Sequence, residues 1–219
     1  MEVWSSGEYE MVNADLLSKY PFFAVLSPRT QRCIAERLVS ADYPTGDDLY
    51  QQGDPPTPLY VLQTGRVKLY RQSRDKRQIL ALPLPGDCLG AESLSTGAPS
   101  PYSATTLAAT TVVYLAPDVL QTLLDDLPDF QEVFLKLITN RLKQFVTLVH
   151  DLAFRDVTSR LAMILVARAE TEGQPVAGGI VFDRLLSQQE FADMVGTARE
   201  VVYRTFKKFE DEELVRLTR

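Results

Sequence analysis

The side chains best suited to recognition chemistry are Arg199, Glu200 and Arg204, which lie close together near the C-terminus. An arginine can donate two hydrogen bonds to O6 and N7 of guanine, and a glutamate can accept one from the amino group of cytosine. Lys207 and Lys208 follow a few residues later, where their ammonium groups suit phosphates better than bases. These residue types and their spacing indicate chemistry directed at base edges and a phosphate backbone.

The segment that must position these side chains has the pattern of two short helices joined by a sharp turn. Ser187 is a good N-cap, and Glu190 three residues later completes a capping box. Gly196 suits the turn because glycine tolerates left-handed backbone, and Thr197 can cap the second helix. The residues predicted to face inward are Phe191, Ala192, Val195, Val201, Val202, Phe206 and Phe209, and those predicted to face outward are Arg199, Glu200, Tyr203, Arg204 and Lys207. This is the pattern of a helix-turn-helix motif, whose second helix lies in the major groove.

Two interpretations of this segment are open at the level of its residues. The helices could form a solvated hairpin whose charges bind nothing, because arginine and glutamate are common on exposed helices. Alternatively, the second helix reads DNA with its N-terminal half, since the acids from Glu210 to Glu213 reduce the positive charge at its C-terminal end. The charged set directly after a capped turn favours DNA binding.

The composition of the whole chain limits the classes of function. The 219 residues carry a formal charge of −6 and give a pI near 4.9, which argues against non-specific coating of nucleic acid but allows a local basic face. No apolar run approaches the roughly 20 residues that cross a bilayer, so no membrane association is predicted.

Metal, cofactor and enzyme chemistry are disfavoured by the same sequence. Cys33 and Cys88 lie far apart without a CxxC spacing, which predicts reduced thiols and a cytoplasmic setting. With His150 as the single histidine, the chain has too few cysteine and histidine ligands for a tetrahedral zinc site and no nucleophile–histidine–acid set. We therefore predict no metal, no cofactor and no enzymatic activity.

The N-terminal half predicts an antiparallel β-structure preceded by a short helix. From about Tyr43 to Leu115, short apolar runs are separated by glycines and prolines, which is typical of a β-sandwich or roll. Ser27 as N-cap and Pro28 as first helical residue predict the preceding helix. A further short helix is predicted to stop before Pro128. Together with the helical C-terminal third, these elements place the chain in the α+β class.

A long helix is predicted to follow, because residues 129–154 contain no glycine or proline. One apolar line on it recurs at alternating spacings of three and four, as in a coiled coil, and a second lies on another side near its start. We expect the first line to pair with the same helix of a second subunit and the second to pack on the β-structure. The alternative is a helix buried in its own domain. The first line is Leu135, Ile138, Leu142, Phe145, Val149 and Leu152, and the second is Phe130, Val133, Phe134 and Leu137.

Five segments taken together are very similar to the CRP/FNR superfamily of bacterial transcription regulators. They are GDDLYQQGD, LYVLQTGRVKLY and LPGDCLGAESL in the β-rich half, LAFRDVTSRLA after the long helix, and LSQQEFADMVGTAREVVYR at the predicted motif. The similarity extends from about Leu17 to Val215. It implies an N-terminal antiparallel β-roll resembling the cyclic-nucleotide-binding jelly roll, a long dimerisation helix and a C-terminal helix-turn-helix domain of the winged-helix type.

The resemblance also implies a division of the chain into regions. Residues 1–20 would form an arm and the start of the first helix, 21–117 a β-roll sensor domain, 118–153 a short helix and the dimerisation helix, and 154–219 the DNA-binding domain. The family's wing would begin at LVRLTR, and the sequence ends at Arg219 before a second wing strand. Either the wing is truncated or its second strand lies outside this sequence.

A function follows from the resemblance as well. Arg199, Glu200 and Arg204 match the family's base-reading set, which implies a homodimer on double-stranded DNA with two-fold symmetric sites whose half-sites contain GTG. The loop AETEGQPVAGG lies where activators of the family touch RNA polymerase, so that enzyme is an expected partner. Whether the protein acts as an activator or as a repressor stays open from the sequence. Ser187, Gln188 and Gln189 match phosphate-side positions, and the predicted DNA-binding surface is completed by Thr197, Tyr203, Lys207 and Lys208.

The nucleotide pocket that the resemblance places in the β-roll is altered. The family has a glycine followed by a glutamate for the ribose, and an Arg-Ser pair for the phosphate. Here Gly90 is followed by Ala91, with Glu92 one place late, and the Arg-Ser pair corresponds to Tyr102 and Ser103. No arginine lies between Gly90 and Ser103 to neutralise a phosphate.

Two positions on the long helix also lack the polar side chains that the family's nucleotide pocket has there. Phe145 and Val146 correspond to positions that would hydrogen-bond adenine, and neither side chain has a polar atom. We therefore predict that cAMP and cGMP do not bind in the family manner. Two modes of control stay open: the protein is active without an effector and set by its abundance, which we favour, or a small apolar or aromatic ligand binds near Tyr102 and Phe145.

Two hypotheses of function result. The leading one is a sequence-specific, dimeric transcription regulator that acts independently of cAMP. The alternative is an effector-responsive sensor of a non-nucleotide small ligand with weakened DNA binding, acting through protein contacts. The truncated wing and the acidic end of the last helix motivate that alternative.

Overall fold

The computed structural model describes residues 17–90, 92 and 97–217. The described chain divides into two compact units, one made of residues 17–72 with 81–143 and the other of residues 73–80 with 144–217. Within these ranges no helix combines the length and the apolar character needed to cross a membrane. The predicted division into an arm, a sensor domain, a dimerisation region and a DNA-binding domain stays a prediction.

The first unit opens with two short helices, α1 (Pro21–Ala24) and α2 (Pro28–Ala35). Ser27 caps α2 by accepting a hydrogen bond from the backbone amide of Thr30 at 3.2 Å, and Pro28 is its first residue. This helix start is as predicted from the sequence. The carboxylate of Asp129 accepts from the Thr30 hydroxyl at 2.7 Å, which ties α2 to the start of the long helix.

The strands of the β-roll form two sheets in the order β1-β8-β3-β6 and β2-β7-β4-β5. The described pairings between β1 and β8, β3 and β8, β3 and β6, β2 and β7, and β4 and β7 are antiparallel, which confirms the predicted roll. The first strand begins at Val39, a few residues before the predicted start. The strands are β1 (Val39–Tyr43), β2 (Asp48–Tyr50), β3 (Leu59–Thr64), β4 (Val67–Ser73), β5 (Lys76–Ala81), β6 (Cys88–Gly90), β7 (Ser103–Thr106) and β8 (Thr110–Leu115).

One face of the first sheet is covered by helices. Because side chains alternate along a strand, Leu59 and Val61 of β3 point to the same side, where they join a buried cluster with Phe23, Ile34 and Phe130. The rings of Phe23 and Phe130 stack with centroids 6.5 Å apart. This cluster anchors the N-terminal part of the long helix.

The helices that follow the roll are α3 (Pro117–Asp126) and α4 (Pro128–Phe154). Phe130 and Val133 are buried, and Phe134 and Leu137 pack partly buried against the same core, so the second apolar line contacts the β-roll as predicted. The first line is different. Its members at seven-residue intervals, Leu135, Leu142 and Val149, are 65%, 61% and 65% exposed, whereas Ile138, Phe145 and Leu152 are half-buried.

The second unit contains α5 (Val157–Glu172), β9 (Gln174–Val176), β10 (Gly179–Val181), α6 (Gln188–Val195) and α7 (Arg199–Asp211). Asp156 caps α5 by accepting from the amide of Ser159 at 2.7 Å. Sequence reasoning assigned a loop to QPVAGG, and this was wrong. The chain forms a two-stranded hairpin there, with Gly178 at φ 94° supplying the left-handed residue of the turn.

Candidate nucleic-acid interface

The first helix of the predicted motif is fixed at its start by a capping box. Ser187 Oγ accepts from the amide of Glu190 at 3.2 Å, and a Glu190 carboxylate oxygen accepts from the amide of Ser187 at 2.9 Å. Phe191, Ala192 and Val195 are buried, as their spacing predicted. The sequence therefore determined both the start of α6 and the face that it packs inward.

The turn between the two helices is built around Gly196, which has φ 72° and ψ 47°. The amides of Gly196 and Thr197 both donate to the carbonyl of Ala192, at 2.8 and 3.1 Å. The N-cap of α7 is Ala198, without a side-chain hydrogen bond. The expectation that Thr197 caps α7 was therefore wrong, because its amide completes the end of α6 and the new helix begins only at Arg199.

The buried side of α7 anchors it to α6. Val202, Phe206 and Phe209 are buried as predicted, and the rings of Phe191 and Phe206 meet edge to face at 5.2 Å. Val201 is only half-buried. Sequence reasoning missed one member of this face, Thr205, whose hydroxyl donates to the carbonyl of Val201 at 2.9 Å. Its spacing of three and four residues from Val202 and Phe209 was the available signal.

The other side of α7 presents the charged set. The side chains of this set are all exposed, and they belong to Arg199, Glu200, Arg204, Lys207 and Lys208. Tyr203 on the same side is 54% exposed. The Nε atom of Arg204 donates to the backbone carbonyl of Glu200 at 3.4 Å, which places their positions on one side of the helix. Lys208 lies 3.9 Å from Glu212, so part of its charge is balanced within the helix.

The positions predicted for the phosphate side lie at the start of α6. Ser187 and Gln189 are exposed and Gln188 is half-buried. The Gln189 amide donates to Asp193 at 2.8 Å, so this side chain already has an intrahelical partner. A helix N-terminus carries partial positive charge and unpaired amides, which suits phosphate oxygens.

The predicted ligand positions of the first unit form a buried polar cluster. Gly90 has φ 81°, and a Cβ there would lie 2.3 Å from the carbonyl of Pro58, so only glycine fits. Tyr102 is 2% exposed and its hydroxyl donates to the carboxylate of Glu92. The Nε of Arg141 lies 3.7 Å from the same carboxylate. Ala91 falls outside the described residues.

Arg141 is a member of this cluster that sequence reasoning missed. Besides approaching Glu92, it donates from Nη2 to the carbonyl of Cys88 at 2.7 Å, which connects α4 to β6. A signal for it existed, because Arg141 continues the apolar line of Phe134 and Leu137 at spacings of three and four residues. An arginine on a core-facing line usually has a buried partner.

Burial controls the electrostatics of this cluster. Removal from water raises the pKa of Glu92, and the Tyr102 hydroxyl and the Arg141 guanidinium only partly oppose that effect. Burial and the neighbouring Glu92 carboxylate likewise raise the pKa of Tyr102. Ser103 is also buried, and its hydroxyl accepts from the amide of Gln52 at 2.9 Å. The polar groups at these positions therefore have partners from the chain itself.

The two remaining predicted pocket residues belong to the second unit. Phe145 is half-buried and Val146 is 62% exposed. Within the described ranges, no group of three or more histidine, cysteine, aspartate or glutamate side chains is arranged to hold a metal ion. His150 is exposed and lies against Asp151 and the ring of Phe154.

Two family models match the chain. Residues 41–126 match the cyclic nucleotide-binding domain, and residues 159–219 match the Crp-like helix-turn-helix domain. Among curated proteins, the chain is 29% identical over 204 residues to the CRP-like cAMP-activated global transcriptional regulator of Mycobacterium tuberculosis, covering 93% of this chain and 91% of that protein. It is 30% identical over 173 residues to the global nitrogen regulator of Synechococcus elongatus, covering 78% of each.

Solved structures show the same fold. The c-di-GMP responsive global regulator CLP of Xanthomonas campestris superimposes with a TM-score of 0.74 at 23% identity, covering 88% of this chain and 96% of that one. FixK2 from Bradyrhizobium japonicum gives 0.71 at 21% identity, covering 83% and 89%. The capped two-helix motif, the β-roll and these relatives agree: the chain belongs to the CRP/FNR family of transcription regulators and carries that family's DNA-binding helix-turn-helix domain.

Proposed function

We propose that the protein is a homodimeric, sequence-specific transcription regulator that reads two-fold symmetric DNA sites with GTG-containing half-sites and acts without a cyclic nucleotide. The observation that carries this proposal is the exposed set of Arg199, Glu200 and Arg204 on the first turns of α7. Their side chains face away from the buried residues that hold α7 against α6.

The geometry of α7 supports base reading by its N-terminal half. A recognition helix in the major groove contacts base edges with the residues near its start. Arginine can bind guanine with two hydrogen bonds, and glutamate can accept from cytosine. Lys207 lies about two turns after Arg199, at a position suited to phosphate contacts. The exposed acids from Glu210 to Glu213 oppose contact beyond that point.

Dimerisation is supported by the exposed apolar line on α4. Leu135, Leu142 and Val149 repeat every seven residues and are all more than half exposed. Apolar side chains at this spacing form the seam of a two-stranded coiled coil. A two-fold dimer would cover them and would present two copies of α7, which matches a two-fold symmetric DNA site.

Independence from cyclic nucleotides is supported by the cluster around Glu92. A nucleotide phosphate needs a cationic partner, and Arg141 is already engaged by the Glu92 carboxylate and the Cys88 carbonyl. Tyr102 stands where the family has its arginine, and it donates to Glu92. The residues present therefore do not fit a cyclic nucleotide, in contrast to what the name of the Mycobacterium tuberculosis relative states for that protein.

Selection from random duplexes followed by binding measurements tests the proposal. Repeated selection with the intact protein should enrich a two-fold symmetric GTG-containing site without added cAMP. Arg204→Ala should then weaken binding to that site by about 1–3 kcal/mol, because a bidentate base contact is lost. The matched control is Arg29→Ala, which removes the same charge from an exposed position in the β-roll unit and should leave affinity unchanged.

Two outcomes would contradict the proposal. If no sequence is enriched, the alternative of a ligand sensor that acts through protein contacts is favoured. If enrichment requires cAMP, DNA reading stands and the proposed independence from nucleotides is wrong.

A further inference from the structure

The guanidinium of Arg160, in the first turn of α5, joins three neighbouring segments of backbone. Its Nε atom donates to the carbonyl of Val195 at 2.8 Å. Its Nη1 atom donates to the carbonyl of Arg155 at 2.6 Å and reaches those of Leu152 and Asp151 at 3.3 and 3.4 Å. One side chain thus contacts the end of α4, the link to α5 and the end of α6.

The carbonyls at the end of α6 require such donors. The last carbonyl groups of a helix have no partner within it. Both amides of the turn donate to Ala192, so the carbonyls of Met194 and Val195 are left to other groups. Gln78, from the 73–80 segment of the same unit, donates to the carbonyl of Met194 at 2.9 Å. The Arg160 guanidinium donates to the carbonyl of Val195.

The turn itself lies close to the end of α4. A Cβ added to Gly196 would come within 2.9 Å of Leu152 Cδ2 and 3.2 Å of Gln78 Oε1. Leu152 and Gln78 therefore limit the space around Gly196. Both also take part in the hydrogen bonds described above, because Gln78 donates to the carbonyl of Met194 and the carbonyl of Leu152 lies 3.3 Å from Nη1 of Arg160. Packing and hydrogen bonding act together at this point to fix the turn.

We propose that Arg160 is a positioning residue for DNA recognition. It sets the orientation of the turn relative to the end of α4, and hence that of the reading edge of α7, which consists of Arg199, Glu200 and Arg204. This inference rests on the proposed function. α7 begins three residues after Gly196, so a rotation of the turn displaces Arg199 first. If only a fraction of molecules holds the competent orientation, the apparent dissociation constant rises in inverse proportion to that fraction.

Binding measurements on matched variants test the role of Arg160. Arg160→Met keeps an unbranched side chain that extends as far as the position of Nε, and it removes every donor. We expect affinity for the selected site to fall by about tenfold or more, and affinity for a scrambled duplex to change by less than about threefold. Arg155→Met removes the same charge from the link between α4 and α5, where the guanidinium contacts only Asp151 among the contacts described. It should change neither affinity by more than about threefold.

Hydrogen exchange gives a second readout that does not involve DNA. Peptides covering residues 194–202 should exchange faster in Arg160→Met than in the parent or in Arg155→Met, while thermal unfolding stays cooperative. If Arg160→Met does not fold, Gln78→Met removes the neighbouring contact without a change of charge and should show the same pattern to a smaller degree.

The outcomes separate the two proposals. A folded Arg160→Met variant with parental affinity and parental exchange overturns the positioning role. A parent protein that enriches no sequence refutes the proposed function instead, and the exchange comparison then decides by itself whether Arg160 holds the turn.

Discussion

The start of α7 and the cluster around Glu92 use charged side chains in opposite ways. On α7, Arg199 and Glu200 are exposed and their heads face solvent. In the β-roll, Glu92 and Arg141 lie 3.7 Å apart with side chains only 17% and 11% exposed, and Tyr102 donates to the same carboxylate. The charged groups on α7 are accessible to a partner molecule, whereas those of Glu92 and Arg141 are paired with each other inside the β-roll.

The difference shows what residue types alone reveal about a site. A charge that stays in water costs little on folding and can meet a partner later. A charge that is buried must be paired by the protein, because an unpaired buried charge is strongly destabilising. Glu92 matched part of a ligand-binding pattern in the sequence, yet its partners come from the chain itself. Exposure therefore distinguishes charged side chains that stay available to a partner from charged side chains that are already paired within the protein.

The largest effect is expected from the apolar side of α7. Phe206→Ala should lower the free energy of unfolding by about 3–5 kcal/mol, because it removes a buried ring that contacts Phe191. Tyr203→Ala, on the exposed side of the same helix, should cost far less. Chemical denaturation of both variants measures the contrast, and equal losses would mean that α7 has no distinct buried and exposed sides.

A smaller effect is expected at the apolar line of α4, where exposure has a different meaning. Leu142→Glu should weaken dimerisation by about 2 kcal/mol, roughly thirtyfold, because the carboxylate would be desolvated without a partner. The monomer should stay folded, since Leu142 is 61% exposed. Sedimentation equilibrium measures the change. Asn140→Glu places the same charge on an exposed position off the line and should leave the dimer intact; a dimer unaffected by Leu142→Glu would place the interface elsewhere.

The smallest effect is expected from titration of the buried cluster. Because the pKa of Glu92 in the folded protein is raised above 4.5, the folded state holds its proton more tightly than the unfolded state. The contribution of Glu92 to stability is therefore lost as the pH rises above 4.5. Glu92→Gln does not titrate, so its melting temperature relative to the parent should increase from pH 4 to pH 7. Glu132→Gln, at an exposed site, is the control. A difference in melting temperature between Glu92→Gln and the parent that does not change with pH would show that burial does not raise the pKa of Glu92.

Local features of the fold could be predicted because they depend on residues a few positions apart. The capping box of Ser187 and Glu190 spans three residues, and the turn at Gly196 depends on the conformational freedom of one. Thr197 was misassigned because its amide still donates to the carbonyl of Ala192 at the end of α6, so the N-cap of α7 is Ala198. Both Thr197 and Ala198 precede a helical run, and the sequence does not distinguish between them.

Features that depend on distant residues were harder to predict. The ion pair of Arg141 with Glu92 joins residues far apart in the chain, and only its place on the core-facing line of α4 indicated burial. The β9–β10 hairpin was missed because its residues are exposed on both strands and show no apolar alternation. The Gly178-Gly179 pair between Ala177 and Ile180 was the remaining signal for a tight turn.

The burial of Cys88 has a practical consequence for labelling and for oxidation. Its side chain is 4% exposed, and burial raises the pKa of its thiol, so the reactive thiolate is scarce at neutral pH. Cys33 is only half-buried and lies on α2, in the unit that does not contain α7. A maleimide dye used at neutral pH should therefore modify Cys33 selectively, giving a fluorescent reporter that leaves the reading edge chemically untouched.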